Sequence, residues 1–346
     1  MTSAADQTPS GPNPGDIFSA FTAFHRSGAL KAAVELDLFS AIAAGAQTVD
    51  ALGQRCGAAP RGIRILADYL VVNGFLMKEG VGASARYSLT LDATIFLDKA
   101  SPAYMGNTVD FLMSPIMLEA FADVGAAVRR GGAVNHGEVL APDHEIWVRF
   151  ARAMAGPAVF VARLLANALE APAGVPWRVL DIAAGHGMFG ITLASENPKA
   201  RVVAVDWNNV LEVARENARA AGVQDRFETI AGSAFEVDLG TGYDLVLLPN
   251  FLHHFDAPTC EAFLRKVHGA LAPGGRAITI EFMPDDDRVT PAIPAAFALV
   301  MLVATPGGDA YTATELQRMA ANAGFARNEV RDLAPSFHRA MISTKA

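Results

Sequence analysis

A chain of 346 residues, 51% hydrophobic and 18% charged, has apolar material for a large core and more than one domain. Its formal net charge of −8 leaves no electrostatic footprint for nucleic acid or an anionic membrane, and no apolar run reaches the length of a membrane span. Only two cysteines occur, Cys56 and Cys260, which excludes a disulfide framework or a cysteine-based zinc site and suits a reducing, cytoplasmic compartment.

Residues 1–15 have neither the basic flank nor the apolar stretch of a signal peptide and read as a disordered tail. From Ile17 to Ala44 the periodicity is helical, with Leu30, Val34, Leu38 and Ile42 stacking on one face. A helix opening at Thr48 or Asp50, a turn at Gly57-Ala-Ala-Pro60, a helix through Ile63–Leu70 and strand-like Phe75–Met77 and Tyr87–Leu89 predict a winged helix over residues 16–100. Its recognition helix would offer only Arg61 and Arg64 among acidic neighbours. Leu66, Tyr69, Leu70 and Phe75 therefore point to packing against the chain's own core or a second subunit, not to DNA. Residues 101–172 form a helical linker rich in methionine and aromatics, including Met105, Phe111, Met113, Met117, Trp147, Phe150 and Met154, which suit a core or an adaptable apolar pocket.

Over residues 173–346 strands and helices alternate. Strands are expected at Arg178–Asp181, Arg201–Asp206, Arg226–Ile230, Tyr243–Leu248 and Arg276–Phe282, which implies an α/β fold with a doubly wound, mainly parallel sheet. Ligands bind such sheets at the carboxyl ends of the strands, where Asp181, Asp206, Ser233, Asn250, His253 and Glu281 would gather. Gly185-His-Gly-Met-Phe-Gly190 is formally a G-x-G-x-x-G with Asp206 at the offset of a ribose-binding acid, so the turn alone does not separate a dehydrogenase from a methyltransferase. Asp181 tips the balance: a carboxylate at the mouth of the turn opposes a pyrophosphate and suits a ligand carrying an ammonium and a sulfonium. Capping of the following helix is its purely structural alternative. Thr290–Val303 is apolar but short and interrupted by proline. It is expected to be a buried helix beside the pocket, with Phe297 and Met301 sharing one face. Thr312-Ala-Thr-Glu315 then has the pattern of a capping box.

In order and spacing, Asp181-Ile-Ala-Ala-Gly-His-Gly187, Val205-Asp-Trp-Asn-Asn-Val210, Ala231-Gly-Ser-Ala-Phe235, Leu248-Pro-Asn-Phe-Leu-His-His254, Leu271-Ala-Pro-Gly-Gly275 and the stretch from Gly307-Gly308 to Gly324-Phe325 resemble the small-molecule O-methyltransferases that join a winged-helix dimerisation domain to a Rossmann-like domain. The resemblance implies a homodimer formed through the N-terminal domain, S-adenosylmethionine as methyl donor with S-adenosylhomocysteine as product, and a hydroxylated aromatic or polyketide-like acceptor; no metal is expected, since adjacent His253 and His254 without an evident third ligand are weak evidence for a metal-assisted mechanism. It further implies that Gly185 and Gly187 make room for the methionine portion, and that Ala183, in place of a usual glycine, is tolerable if its φ stays negative. Asp206 would bind the ribose and Trp207 stack on the adenine. Ser233 stands where an aspartate usually holds the adenine amino group, with Phe235 and Asn250 in the same cofactor set.

On the acceptor side the resemblance makes His253 the general base and Glu281 the carboxylate that orients it. Trp147, Phe150, Met154, His254, Phe297 and Met301 are expected to line the pocket, although core packing would explain Phe297 and Met301 equally well. On this side the chain departs from the family pattern at three positions. Pro249 replaces a lysine, and Asp309 and Ala310 stand where a lysine and a second orienting glutamate are usual, leaving Asp309 to substitute from the neighbouring position. An incomplete set of carboxylates would instead favour carbon methylation, an already acidic hydroxyl, or another reaction on the same scaffold.

Overall fold

The computed structural model describes residues 12–134 and 143–346, so residues 1–11 of the expected tail lie outside it. The chain divides into two compact units, the first ending at Val109 and the second beginning at Asp110. In the first, α1 (Pro14–Phe21), α2 (Ala23–Glu35), α3 (Leu38–Ala43), α4 (Val49–Cys56) and α5 (Pro60–Val72) lead to an antiparallel pair, β1 (Leu76–Glu79) and β2 (Arg86–Leu89), and then to α6 (Leu91–Phe96). The expected tail thus ends two residues early, because Asn13 accepts a hydrogen bond from the Gly15 N–H and caps α1. The helical stretch to Ala44 is also broken. Asp37 takes a left-handed φ of 54° between α2 and α3, yet Leu38 and Ile42 stay buried in one cluster against which Leu30 and Val34 pack. Asp68 on α5 accepts from Lys78 Nζ at 2.6 Å and from the Tyr87 hydroxyl at 2.7 Å, which ties the helix to both strands.

After α7 (Val109–Leu112), the second unit runs through α8 (Pro115–Ala120), α9 (Val124–Arg130) and α10 (Glu145–Ala168) into the sheet region. There β3 (Arg178–Ile182), α11 (Met188–Glu196), β4 (Arg201–Asp206), α12 (Asn208–Ala220), β5 (Phe227–Ala231), β6 (Tyr243–Pro249), α13 (Ala257–Ala270), β7 (Leu271–Glu281), α14 (Ala292–Ala304), α15 (Ala313–Asn322), β8 (Arg327–Asp332) and β9 (Arg339–Thr344) follow in turn. The strand order is β5-β4-β3-β6-β7-β9-β8, with parallel pairing from β5 to β7 and antiparallel pairing of β9 with both β7 and β8. The closing hairpin was not expected from sequence. Arg327-Asn-Glu-Val-Arg-Asp332 lacks apolar alternation because β8 is an edge strand, whose polar residues cost little in water.

Strand residues alternate between two cores, as a sheet covered on both faces requires. Val179, Val202, Ala204, Leu245 and Leu247 join the side chains of α10 and α11, whereas Leu180, Ile182, Val203, Val246 and Leu248 join those of α13 and α15. Asp181 is in phase with Val179 and so points to the α11 side. The apolar α14 is not the buried helix expected: Pro294, Met301 and Val303 are buried, but Ile293 and Leu299 are 50% and 45% exposed. No helix among the described residues is long and apolar enough to cross a membrane.

The capping box forms as read. Thr312 Oγ1 accepts from the Glu315 N–H at 3.3 Å, and Glu315 Oε2 accepts from the Thr312 N–H at 3.0 Å. Thr312→Ala should lower unfolding stability by about 1 kcal/mol, measured as a lower denaturant midpoint at unchanged slope.

Candidate functional site

The strand order reverses between β3 and β6, so the crevice for a ligand opens at the carboxyl ends of these two strands. Asp181 sits there, fully buried. Its Oδ2 accepts from the Gly190 N–H in the first turn of α11 at 3.0 Å, while Oδ1 has no partner. Helix capping therefore accounts for only half of this carboxylate. Burial pushes Asp181 up to about 7, opposed by the Gly190 N–H and reinforced by the charge of Asp206. Gly190 is required by contact: a Cβ there would lie 2.7 Å from Val202 Cγ1 and 2.9 Å from Asp181 Oδ2.

The turn between β3 and α11 corrects two expectations. Ala183 does not keep a negative φ; at 49° it lies in the left-handed region that disfavours a Cβ. Gly185 and Gly187 are also left-handed, at 57° and 72°, but they serve different ends. A Cβ on Gly187 would meet Ala214 Cβ at 3.0 Å and Phe227 Cζ at 3.2 Å, so protein packing and not ligand approach demands glycine there. A Cβ on Gly185 would meet little besides the Ala183 carbonyl oxygen at 3.9 Å, so this glycine faces open space.

Asp206, at the end of β4, accepts from the Gly185 N–H through Oδ2 and from the Trp207 N–H through Oδ1, both at 2.7 Å. Each oxygen retains acceptor capacity for a hydroxyl. Burial raises this carboxyl to about 6 against the lowering effect of the two N–H groups. Trp207 packs beside Trp147 and Val148 on Ala151, Val210 and Val213, between α10 and α12. Ser233 Oγ accepts from the Phe235 N–H at 3.3 Å, and the Phe235 ring lies 4.8 Å from Phe263 and 4.9 Å from Phe255. Asn250, just past β6, adopts φ 53°, and its buried Oδ1 is unpartnered. Two bare acceptor oxygens, on Asp181 and Asn250, thus lie at adjacent strand ends. The cationic methionine arm of S-adenosylmethionine fits such a site, whereas a pyrophosphate would add a second negative group beside Asp181.

The turn after β6 carries His253, which is 5% exposed. Glu281 Oε1 accepts from the N–H groups of Phe251, Leu252 and His253 at 3.0, 2.9 and 3.3 Å, and Oε2 lies 2.5 Å from His253 Nδ1. A carboxylate at this distance favours the tautomer that carries its proton on Nδ1 and directs Nε2 away from Glu281. Two further contacts brace the turn. The Cys260 thiol, pushed up to about 12 by burial and by the nearby Glu281 charge, donates to the Leu252 carbonyl, and the Asp309 N–H donates to the His253 carbonyl at 3.0 Å. A Cβ on Gly308 would come within 2.1 Å of that same carbonyl oxygen.

Asp309 is not an orienting carboxylate. Its Oδ2 is held by Arg288 Nη1 at 3.0 Å, and the Nδ1 it would need is already engaged by Glu281. The residue acts on His253 through its main chain instead. Ala310, at another departure from the family pattern, is 1% exposed.

Around the histidine the structure gathers rings. Phe297 meets His253 edge-on at 4.9 Å, and Phe282 stacks on Phe297 at 4.5 Å. His254 meets Trp147 at 5.9 Å, Trp147 meets Phe150 at 6.2 Å, and Phe150 meets Phe111 at 5.0 Å. Trp147, Phe150, His254 and Phe297 are thereby joined in a series of ring contacts that runs through the adjacent His253 and His254. Met154 lies one turn beyond Phe150 and is half-buried. Met301, at 4% exposure, packs as core. Phe282 and His338, whose rings are 4.3 Å apart, join this region unannounced. Phe282 could have been found as the neighbour of Glu281, but His338 belongs to the hairpin that the sequence did not signal. Burial, and then the neighbouring His253, hold His254 well below the ordinary histidine value. Among the described residues, no three His, Cys, Asp or Glu side chains are grouped as a metal site.

Comparison with known proteins identifies two matching family models. Residues 131–326 match an O-methyltransferase domain and residues 18–99 an O-methyltransferase dimerisation domain. The chain is 30% identical to the tetracenomycin polyketide synthesis 8-O-methyltransferase TcmO of Streptomyces glaucescens, over 93% of this chain and 94% of that one. It is 29% identical to the 3-hydroxy-5-methyl-1-naphthoate 3-O-methyltransferase of Streptomyces sahachiroi, over 94% and 93%. A solved structure assigned as an O-methyltransferase of Nostoc punctiforme superposes with a TM-score of 0.91 at 48% identity, covering 97% of this chain and all of that one. Human N-acetylserotonin methyltransferase in complex with S-adenosylmethionine shares the fold, with a TM-score of 0.84 at 22% identity over 98% of this chain and all of that one.

The left-handed Ala183 yields a test of the turn. Ala183→Gly removes roughly 1–2 kcal/mol of backbone strain and adds about 0.4–1 kcal/mol of unfolded-state entropy. The variant should be more stable, with a higher denaturant midpoint; an unchanged or lower midpoint would contradict the strain.

Proposed function

This chain belongs to the O-methyltransferase family, and we propose that it methylates a hydroxyl of a small aromatic or polyketide-like molecule with His253 as general base. The family takes its methyl group from S-adenosylmethionine, which when bound supplies an electrophilic methyl on a sulfonium. The observation that carries the proposal is the buried His253–Glu281 pair at the strand edge that also presents the bare oxygens of Asp181 and Asn250.

In this reading Asp181 and Asn250 receive the cationic arm of the donor, Asp206 accepts from the ribose hydroxyls, and Ser233 with Phe235 borders the adenine. Trp147, Phe150 and Phe297 hold an aromatic acceptor by shape and ring contact. Glu281 keeps the Nδ1 proton of His253 in place, so Nε2 takes the acceptor's hydroxyl proton as the oxygen attacks. The resulting imidazolium is stabilised by the same carboxylate. Positioning does much of the remaining work, since good orientation supplies up to ~7–11 kcal/mol of a barrier. The hydroxylated aromatic class is supported by the rings around His253 and by the names of the polyketide and naphthoate relatives.

The dimerisation-domain match supports a homodimer, as do the exposed Ile17, Phe18, Phe21 and Phe24 of α1 and α2, which present an apolar surface to a second copy.

His253→Ala should lower kcat by ~10²–10⁴ while leaving S-adenosylhomocysteine affinity nearly unchanged. Full turnover in this variant would remove the base. Mass and NMR analysis of the product made from a hydroxynaphthoate should show an O-methyl group, and a new C-methyl group would redirect the assignment.

Asp181 gives a pH dependence. Its folded value of about 7 lies above its ordinary 3.8, so in the ligand-free protein its contribution to stability is present below 3.8 and is lost as pH rises through about 7. A bound cation favours the ionised form. Affinity for the donor should therefore rise as pH increases toward about 7, with proton release seen by calorimetry in buffers of different ionisation enthalpy. Asp181→Asn should bind more weakly and abolish most of this release.

A further inference from the structure

We infer that Lys266, on α13, is a positioning residue for the donor's adenine: its ammonium holds the loop bearing Ser233 and Phe235 in the shape that receives the base. This inference rests on the assignment of that loop to the adenine in the proposed function. Lys266 Nζ donates to the carbonyl oxygens of Ala234, Phe235 and Val237 at 2.9, 2.8 and 2.7 Å. An ammonium has three donors and no acceptor, so these contacts use its full capacity. Three carbonyl dipoles converging on one point repel one another unless a cation or donor stands between them. The loop can keep this curvature because Lys266 is there.

Other contacts make the loop a closed unit. At its start, the Gly232 N–H donates to the carbonyl of Asp206 at 2.9 Å, which links it directly to the ribose-binding residue. Gly232 has φ 134°, and a Cβ there would lie 2.7 Å from Val237 Cγ1, so only glycine makes this pinch. Within the loop, the Glu236 and Val237 N–H groups both donate to the Ser233 carbonyl at 2.9 Å. Underneath, Phe263 lies 4.8 Å from the Phe235 ring. Phe263 and Lys266 are three residues apart and share one face of α13. One helix face thus supplies both the ring that seats Phe235 and the cation that gathers the carbonyls around it. Since Ser233 offers only an uncharged hydroxyl, recognition of adenine depends more on loop shape than it would with a carboxylate there.

The test measures Lys266→Met, which keeps an apolar stem but no donors, beside Lys266→Arg and Ser233→Ala. Lys266→Met should raise the Kd for S-adenosylhomocysteine about tenfold, as expected when three converging carbonyls, two of them partly buried, lose their shared donor. The loss should fall on KM for the donor more than on kcat, and preference for S-adenosylhomocysteine over S-inosylhomocysteine should narrow. Lys266→Arg should recover part of both affinity and preference. If Lys266→Met does not fold, the same two readings on Lys266→Gln, which lacks the cation and the three-donor reach, decide the matter: a weaker base preference supports the inference, and wild-type Kd and preference overturn it. A folded Lys266→Met with wild-type Kd and preference also overturns it. If Ser233→Ala weakens binding while Lys266→Met does not, only the role of Lys266 fails; if neither has an effect, the adenine assignment fails with it.

Discussion

Most of the site's geometry depends on one buried carboxylate. Glu281 is 3% exposed and engages four donors: three successive main-chain N–H groups through one oxygen and an imidazole through the other. A buried charge is tolerable only when well solvated by such groups, and N–H donors of a tight turn are already oriented to supply that solvation. The consequence is geometric. The end of β7 and the turn after β6 are fixed relative to each other, and the ring of His253 is fixed with them. The Cys260 thiol and the Asp309 N–H then secure the carbonyl side of the same turn.

Across the crevice the electrostatics are arranged in the opposite sense. Asp181 and Asp206 are both pushed upward by burial, and Asp181 keeps one oxygen without a donor. Glu281 is satisfied by the protein itself, whereas Asp181 is satisfied only in part. The first arrangement suits a residue that must hold another in place through repeated turnovers. The second suits a residue whose missing partner is a ligand, since a cation entering there recovers electrostatic energy that folding leaves unrealised.

What could be read from sequence follows the physics of each element. The parallel strands β3, β4, β6 and β7 were legible because buried strands carry long apolar runs, β5 at the sheet edge because it continues the strand–helix alternation, and the capping box because its residue types are restricted. In the closing hairpin β8 left no signal because an edge strand need not alternate. Apolar composition misjudged α14, since hydrophobicity does not say which face of a helix is covered. His253 and Glu281 were placed by motif and strand register, but the commitment of Asp309 to Arg288 joins residues 21 apart in sequence and leaves no local trace. The sign of φ at Ala183 was likewise invisible, because alanine ordinarily avoids the conformation it adopts here.

The loss of Asp309 as an orienting group bears on which acceptors suit the proposed base. An imidazole in its neutral state has one Nδ1 proton to place, and Glu281 alone is enough to place it. A second carboxylate would add little to orientation, but it would further stabilise the imidazolium formed when Nε2 takes a proton. Arg288 holds the Asp309 carboxylate, so among the described residues Glu281 is the carboxylate that meets the His253 ring. Proton transfer to such a base is most favourable from a hydroxyl that is itself acidic. Phenols conjugated to a carbonyl or set in a fused aromatic system meet this demand better than an aliphatic alcohol. The rings around His253 and its pairing with one carboxylate both support the phenolic class of acceptor proposed above.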